Sequence, residues 1–99
     1  MRHFQRKTDV NHRQITAFLR GQNCHVIDLS AVGGGVPDLL VLTPDRRLIL
    51  MEIKNPDGGR LTPKQRELME VWPVAVVRNP NDCLTAIGNK TNSVILESQ

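Results

Sequence analysis

Pro37-Asp38-Leu39-Leu40-Val41-Leu42-Thr43-Pro44-Asp45-Arg46-Arg47-Leu48-Ile49-Leu50-Met51-Glu52-Ile53-Lys54 is two apolar runs joined by a proline-led turn. The pattern predicts an antiparallel hairpin, with strands over residues 38–43 and 47–54 and Pro44-Asp45-Arg46 between them. If the loop has three residues, Thr43 pairs with Arg47 and Asp38 lies opposite Glu52. Residues paired in this way point to the same face, with Cβ atoms about 4.5–5.5 Å apart. A two-residue loop would shift the pairing by one and send Asp38 to the other face. Glu52 and Lys54, two apart on one strand, share a face behind Leu48 and Leu50. Two carboxylates so close repel each other unless a cation or a proton lies between them.

Working outward, a helix is expected over residues 9–22, capped by Thr8 or Asp9, with Val10, Ile15, Phe18 and Leu19 at helical spacing and Gly21 near its end. Residues 24–29 alternate as a short strand, with Cys24, Val26 and Asp28 on one face. Residues 31–37 hold Gly33-Gly34-Gly35 and Pro37 and form a loop. After the hairpin come a polar loop over 55–61, a helix over 62–71 and an apolar strand over 73–78. Residues 79–89 read as a short helix or turn, and the last ten as a strand or frayed tail. The order α-β-β-β-α-β predicts a single α/β domain over residues 1–99, a mixed β-sheet flanked by helices, with its core at about 9–78.

The chain has 99 residues, 39% of them hydrophobic, which is enough for one small core. Thirteen Lys and Arg against ten Asp and Glu give a net charge of +3. The charge is concentrated: Arg2, Arg6, Lys7, Arg13 and Arg20 face only Asp9 in the first twenty residues. Such an end suits a phosphate backbone, although a solvated charged face has the same composition. Two cysteines, Cys24 and Cys83, lack metal-ligand spacing, so reduced thiols in a cytoplasmic setting are expected. No signal-peptide pattern and no apolar stretch of membrane-spanning length is present.

The acids determine the chemistry to expect. Oxygen ligands from Asp38 and Glu52, without thiolates, favour Mg²⁺ or Mn²⁺ over zinc. Such an ion polarises a phosphoryl oxygen and lowers the pKa of a bound water. Lys54 beside it could orient or deprotonate that water, or neutralise charge developing on the phosphate. This is the equipment for hydrolysing a phosphodiester.

Gly35-Val36-Pro37-Asp38 followed by Met51-Glu52-Ile53-Lys54 resembles the PD-(D/E)XK nuclease superfamily. The continuation Gly58-Gly59-Arg60-Leu61-Thr62-Pro63-Lys64-Gln65 narrows the likeness to the virus-type replication-repair nuclease (VRR-NUC) domain. The resemblance spans about residues 9–78. It implies a restriction-endonuclease-like core, with Asp38 and Glu52 as metal-binding acids and the Ile53 carbonyl as a main-chain ligand. It further implies Lys54 as the catalytic lysine and Gln65 as an active-site glutamine. The implied substrate is branched DNA such as a four-way junction, cut by a homodimer in a bacterial or virus-infected cell. Many relatives carry a Glu on the first helix. Here that helix has none, and His12 and Gln14 stand nearest the expected place.

Several residues keep two readings. Thr62, Pro63 and Gln65 form the pattern of a capping box, so Gln65 is either a helix cap or an active-site residue, one amide being expected not to serve both fully. Gly34 and Gly35 either form a flexible connection or let a phosphate backbone approach. Arg13, Arg60, Lys64 and Arg66 are phosphate contacts or solvated charges. Trp72 and Phe18 are expected in the core, which leaves little for base stacking. Three function classes follow: a metal-dependent endonuclease, a junction-binding module that cuts weakly or not at all, and a structural or protein-interaction domain.

Overall fold

In a computed structural model the chain is described over residues 7–89 and 94–95, with side chains over 10–89. The elements run α1 (Lys7–Gly21), β1 (His25–Asp28), β2 (Leu39–Leu42), β3 (Arg47–Ile53), α2 (Pro63–Met69), β4 (Val74–Val77), α3 (Pro80–Gly88) and β5 (Val94–Ile95). The expected α-β-β-β-α-β order is present. The helix-or-turn segment is α3, and of the last ten residues those described, Val94–Ile95, form β5. Helix α1 already begins at Lys7, so Thr8 and Asp9 lie in its first turn rather than capping it.

The sheet is mixed, in the order β1-β2-β3-β4, with β5 also pairing to β3. β1-β2 and β2-β3 are antiparallel, and β3-β4 is parallel, as a strand-helix-strand connection through α2 requires. In the hairpin Leu39 pairs with Met51 and Leu42 with Leu48. The ladder closes on the Thr43 N–H donating to the Arg47 carbonyl at 2.9 Å. The loop therefore has three residues, Pro44 to Arg46. Arg46 completes it at φ 64°, where its N–H donates to the Thr43 carbonyl.

One face of the sheet is the core. Leu39, Val41, Ile49, Met51 and Ile53 point into it and meet Ile15 and Leu19 of α1 and Cys83 and Ala86 of α3. Each fully buried aliphatic of this kind contributes roughly 1.5–3 kcal/mol. Arg47 is buried on the same face. Its guanidinium donates to Asp45 at 2.9 Å and to the Ile87 carbonyl, which ties the hairpin turn to α3. The opposite face carries Leu40, Leu42, Leu48 and Leu50 by register and is only half-covered. Phe18 packs against the core as expected. Trp72 does not: it is 55% exposed, in the turn after α2 where its N–H caps the Leu68 carbonyl. There the chain has left the helical layer without yet joining the sheet.

Candidate active site

The register of the hairpin extends one step beyond its ladder and sets Asp38 opposite Glu52, on the face away from α1 and α3. Counting back from the hydrogen-bonded Thr43–Arg47 pair, position 38/52 is a non-hydrogen-bonded pair, in which side chains stand closest. Backbone bonds fix Asp38: its carbonyl accepts from the Leu29 N–H at 2.7 Å, continuing the β1-β2 ladder. Its carboxylate Oδ2 accepts from the Ile53 N–H at 2.8 Å. In an extended strand a residue's N–H and C=O lean the same way, so the Ile53 carbonyl is also turned toward the Asp38 side. Lys54 leaves the sheet just beyond, its N–H donating to the Val77 carbonyl at 3.0 Å.

Glu52 is only 3% exposed. Burial first, and then the neighbouring Asp38, through a hydrogen bond that one proton can bridge and through its charge, push the Glu52 carboxyl up to about 8. Lys54 and the Ile53 N–H oppose this. The pair is therefore an acid dyad in which Glu52 keeps its proton well above the usual carboxylate range. A proton and a cation are interchangeable remedies for two carboxylates at this spacing.

Gln65 makes the cap and a contact to Glu52 at once, which corrects the expectation that one amide could not serve both fully. Its Oε1 accepts from the Thr62 N–H at 2.9 Å, while its backbone N–H donates to Thr62 Oγ1 at 3.2 Å, completing the capping box. That leaves Nε2 as the outward group, and it donates to Glu52 Oε2 at 2.8 Å. The Thr62 N–H can only donate, so Oε1 must face it and Nε2 is left for Glu52, which determines the orientation of the amide. The cap that starts α2 also aims a donor at the dyad.

Among the other expected site residues, Gly35 lies against the start of α2. At φ 84° a Cβ there would sit 2.9 Å from the Lys64 carbonyl carbon and oxygen. Gly34 (φ 66°) is open, with nothing within 4 Å of its would-be Cβ. Lys64 and Arg60 are exposed close to Gln65 in the chain. Arg13 is exposed on α1, two residues and so about half a turn from the buried Asn11. Arg2 and Arg6 lie outside the described residues. His12 pairs instead with Asp28 at 3.1 Å, on the core side of the sheet, and Gln14 is exposed. Asp28 also accepts from the Ser30 N–H and hydroxyl, and these bonds with His12 hold its carboxyl below the usual range.

The helix residue that reaches the strand ends is Asn11, which sequence reasoning passed over. Its Nδ2 donates to the carbonyls of Lys54 (2.8 Å) and Arg78 (3.1 Å). Arg78 in turn donates to the Asn55 carbonyl at 3.0 Å, and its own N–H is held by Asp82 at 2.8 Å. A signal existed: Asn11 stands at i−4 and i−8 from Ile15 and Leu19, a polar residue on the buried stripe.

Neither a family model, nor a curated protein, nor a solved structure aligns with this chain. The site's own chemistry must carry the argument. Among the described residues no group of three or more His, Cys, Asp or Glu side chains could hold a metal ion. Two carboxylates and a main-chain carbonyl do fit a hard cation that keeps several of its waters, as Mg²⁺ does. They do not fit zinc, nor an ion enclosed entirely by protein.

Proposed function

We propose that this protein is an Mg²⁺- or Mn²⁺-dependent endodeoxyribonuclease with a restriction-endonuclease-like core, acting on branched DNA as a homodimer. One observation carries the reading: the hairpin register brings Asp38 and Glu52 together on one face, next to Ile53 and Lys54, with Gln65 held on Glu52. The order of antiparallel hairpin, crossover helix and parallel strand supports the core assignment. The half-covered leucine face, flanked by Ile27 at 58% exposure, supports association of two copies. The exposed Arg60 and Lys64, close to Gln65 in the chain, support a polyanionic substrate.

Asp38, Glu52 and the Ile53 carbonyl would hold the cation. When bound, it supplies a Lewis acid to a phosphoryl oxygen and lowers the pKa of water. Asp38 and Glu52 provide the negative charge that draws it in, and Ile53 and Gln65 keep those carboxylates in place. Lys54 carries a positive charge that already acts on Glu52 and can offset charge growing on a phosphate.

The test is cleavage of labelled four-way-junction, flap and linear duplex DNA in Mg²⁺, Mn²⁺ or EDTA, alongside Asp38→Ala and Lys54→Ala. The expected result is cation-dependent cutting, strongest on branched DNA and lost in both variants. A second reading, a junction-binding domain that cuts weakly or not at all, is favoured by the missing third acid, since among the described residues no further His, Cys, Asp or Glu joins the dyad in a metal-holding group. Folded wild-type protein that binds junctions without cutting would establish that reading instead.

A further inference from the structure

We infer that Gln65 is a positioning residue that makes Glu52 a one-oxygen ligand, so that each chain takes a single divalent cation of the small octahedral class and discriminates against Ca²⁺. The inference rests on the metal-site reading above and concerns how that site is restricted.

Each carboxylate already has one oxygen committed to the protein. Asp38 Oδ2 holds the Ile53 N–H and Glu52 Oε2 holds Gln65 Nε2, both at 2.8 Å. Asp38 Oδ1 and Glu52 Oε1 remain. With the Ile53 carbonyl they make three protein ligands, which leaves three positions of an octahedron for water and substrate oxygen. Mg²⁺ and Mn²⁺ accept such a set. Ca²⁺ prefers six to eight oxygens and readily takes carboxylates through both oxygens at once. The Gln65 bond competes with that mode at Glu52, and the Ile53 N–H bond competes with it at Asp38.

Charge limits the number of ions as well as their kind. Two carboxylates and Lys54 sum to a single negative charge, so one divalent ion already leaves the site positive. A second ion about 3.5–4 Å away, the usual two-metal spacing, would need further anionic ligands. The described residues offer no third acid in such a cluster. Nor is the Gln65 contact incidental, because the capping box fixes the amide from its other end.

The experiment measures cation stoichiometry and selectivity on the DNA-free protein, by Mn²⁺ electron paramagnetic resonance and by calorimetric titration with Mn²⁺ and Ca²⁺. Two variants separate cap from contact. Gln65→Glu keeps an N3 acceptor for the capping box but replaces the donor with a carboxylate. Gln65→Met removes both functions at similar length. Wild type is expected to bind one Mn²⁺ per chain, with Ca²⁺ weaker by about tenfold or more. Gln65→Met narrows that ratio, and Gln65→Glu narrows it further or admits a second ion. Two ions on wild type, or a Ca²⁺/Mn²⁺ ratio unchanged in both variants, overturns the inference while leaving the nuclease reading in place. Folded wild type that binds no cation overturns both.

Discussion

Glu52→Gln should make this protein more stable in neutral and mildly alkaline solution and, if Asp38 and Glu52 hold a cation as proposed, weaken cation binding. The wild-type Glu52 carboxyl is raised from its ordinary 4.5 to about 8 by burial and by Asp38. Between those values the folded chain holds a proton that the unfolded chain has released, so stability falls as pH rises. It is fully retained below about 4.5 and lost on passing through about 8. One proton of linkage is worth about 1.4 kcal/mol per pH unit, so the loss across the window is on the order of 4 kcal/mol. An amide at position 52 has the shape of the protonated acid: an NH₂ for Asp38 and an oxygen for Gln65. It never ionises. Urea unfolding in EDTA at pH 5, 6, 7 and 8 should show wild type declining and the variant nearly flat, the two diverging most at pH 8. Saturating Mg²⁺ should flatten the wild-type decline, because a cation replaces the proton, and should leave the variant unchanged. Parallel pH profiles in EDTA would refute the reasoning, since the two carboxylates would then not share the site.

Three further outcomes follow from the same contacts. Asn11→Ala strands the Lys54 and Arg78 carbonyls and should lower stability by about 1–3 kcal/mol in urea unfolding. Asn11→Asp, which puts a carboxylate against two carbonyls, should lower it further at pH 7. Gly35→Ala forces a Cβ into the Lys64 backbone at φ 84° and should cost on the order of 2 kcal/mol or more, against about 1 kcal/mol for Gly34→Ala, where the space is open; equal thermal shifts would deny the packing of that loop on α2. Arg46→Gly relieves the left-handed turn residue and should be neutral or stabilising by up to about 1 kcal/mol in thermal unfolding. A larger loss would mean that the Arg46 side chain holds the turn.

What could be read from the sequence was whatever depends on neighbours along the chain. The three-residue loop between Thr43 and Arg47 sets every pairing in the hairpin, so spacing reduced the juxtaposition of Asp38 and Glu52 to one question, the loop length, which the structure answers. Thr62, Pro63 and Gln65 announced a helix start for the same reason. Asn11 escaped because its partners are carbonyls 43 and 67 residues away, and backbone acceptors carry no mark in a sequence. His12 stands nearest the place expected for a helix acid, yet the direction in which it leaves α1 takes it to Asp28 on the core side. Trp72 was misassigned because apolar character was taken for depth, in a turn that the core does not reach. The second use of Gln65 required knowing that α2 settles over the end of β3.

The acid dyad is hard to explain as a device for stability. A leucine-lined sheet face needs no glutamate at 3% exposure, still less one opposite an aspartate. Each acid nevertheless receives a single dedicated donor, the Ile53 N–H for Asp38 and the Gln65 amide for Glu52, and neither donor neutralises the repulsion between them. Donors placed this way fix where the remaining oxygens point while leaving the charge uncompensated. Such a pairing destabilises the free protein and is relieved only by something positive from outside. A purely structural domain would gain stability by losing Glu52, whereas a cation-using enzyme cannot give it up. That asymmetry is why the stability and cation binding of Glu52→Gln are expected to move in opposite directions.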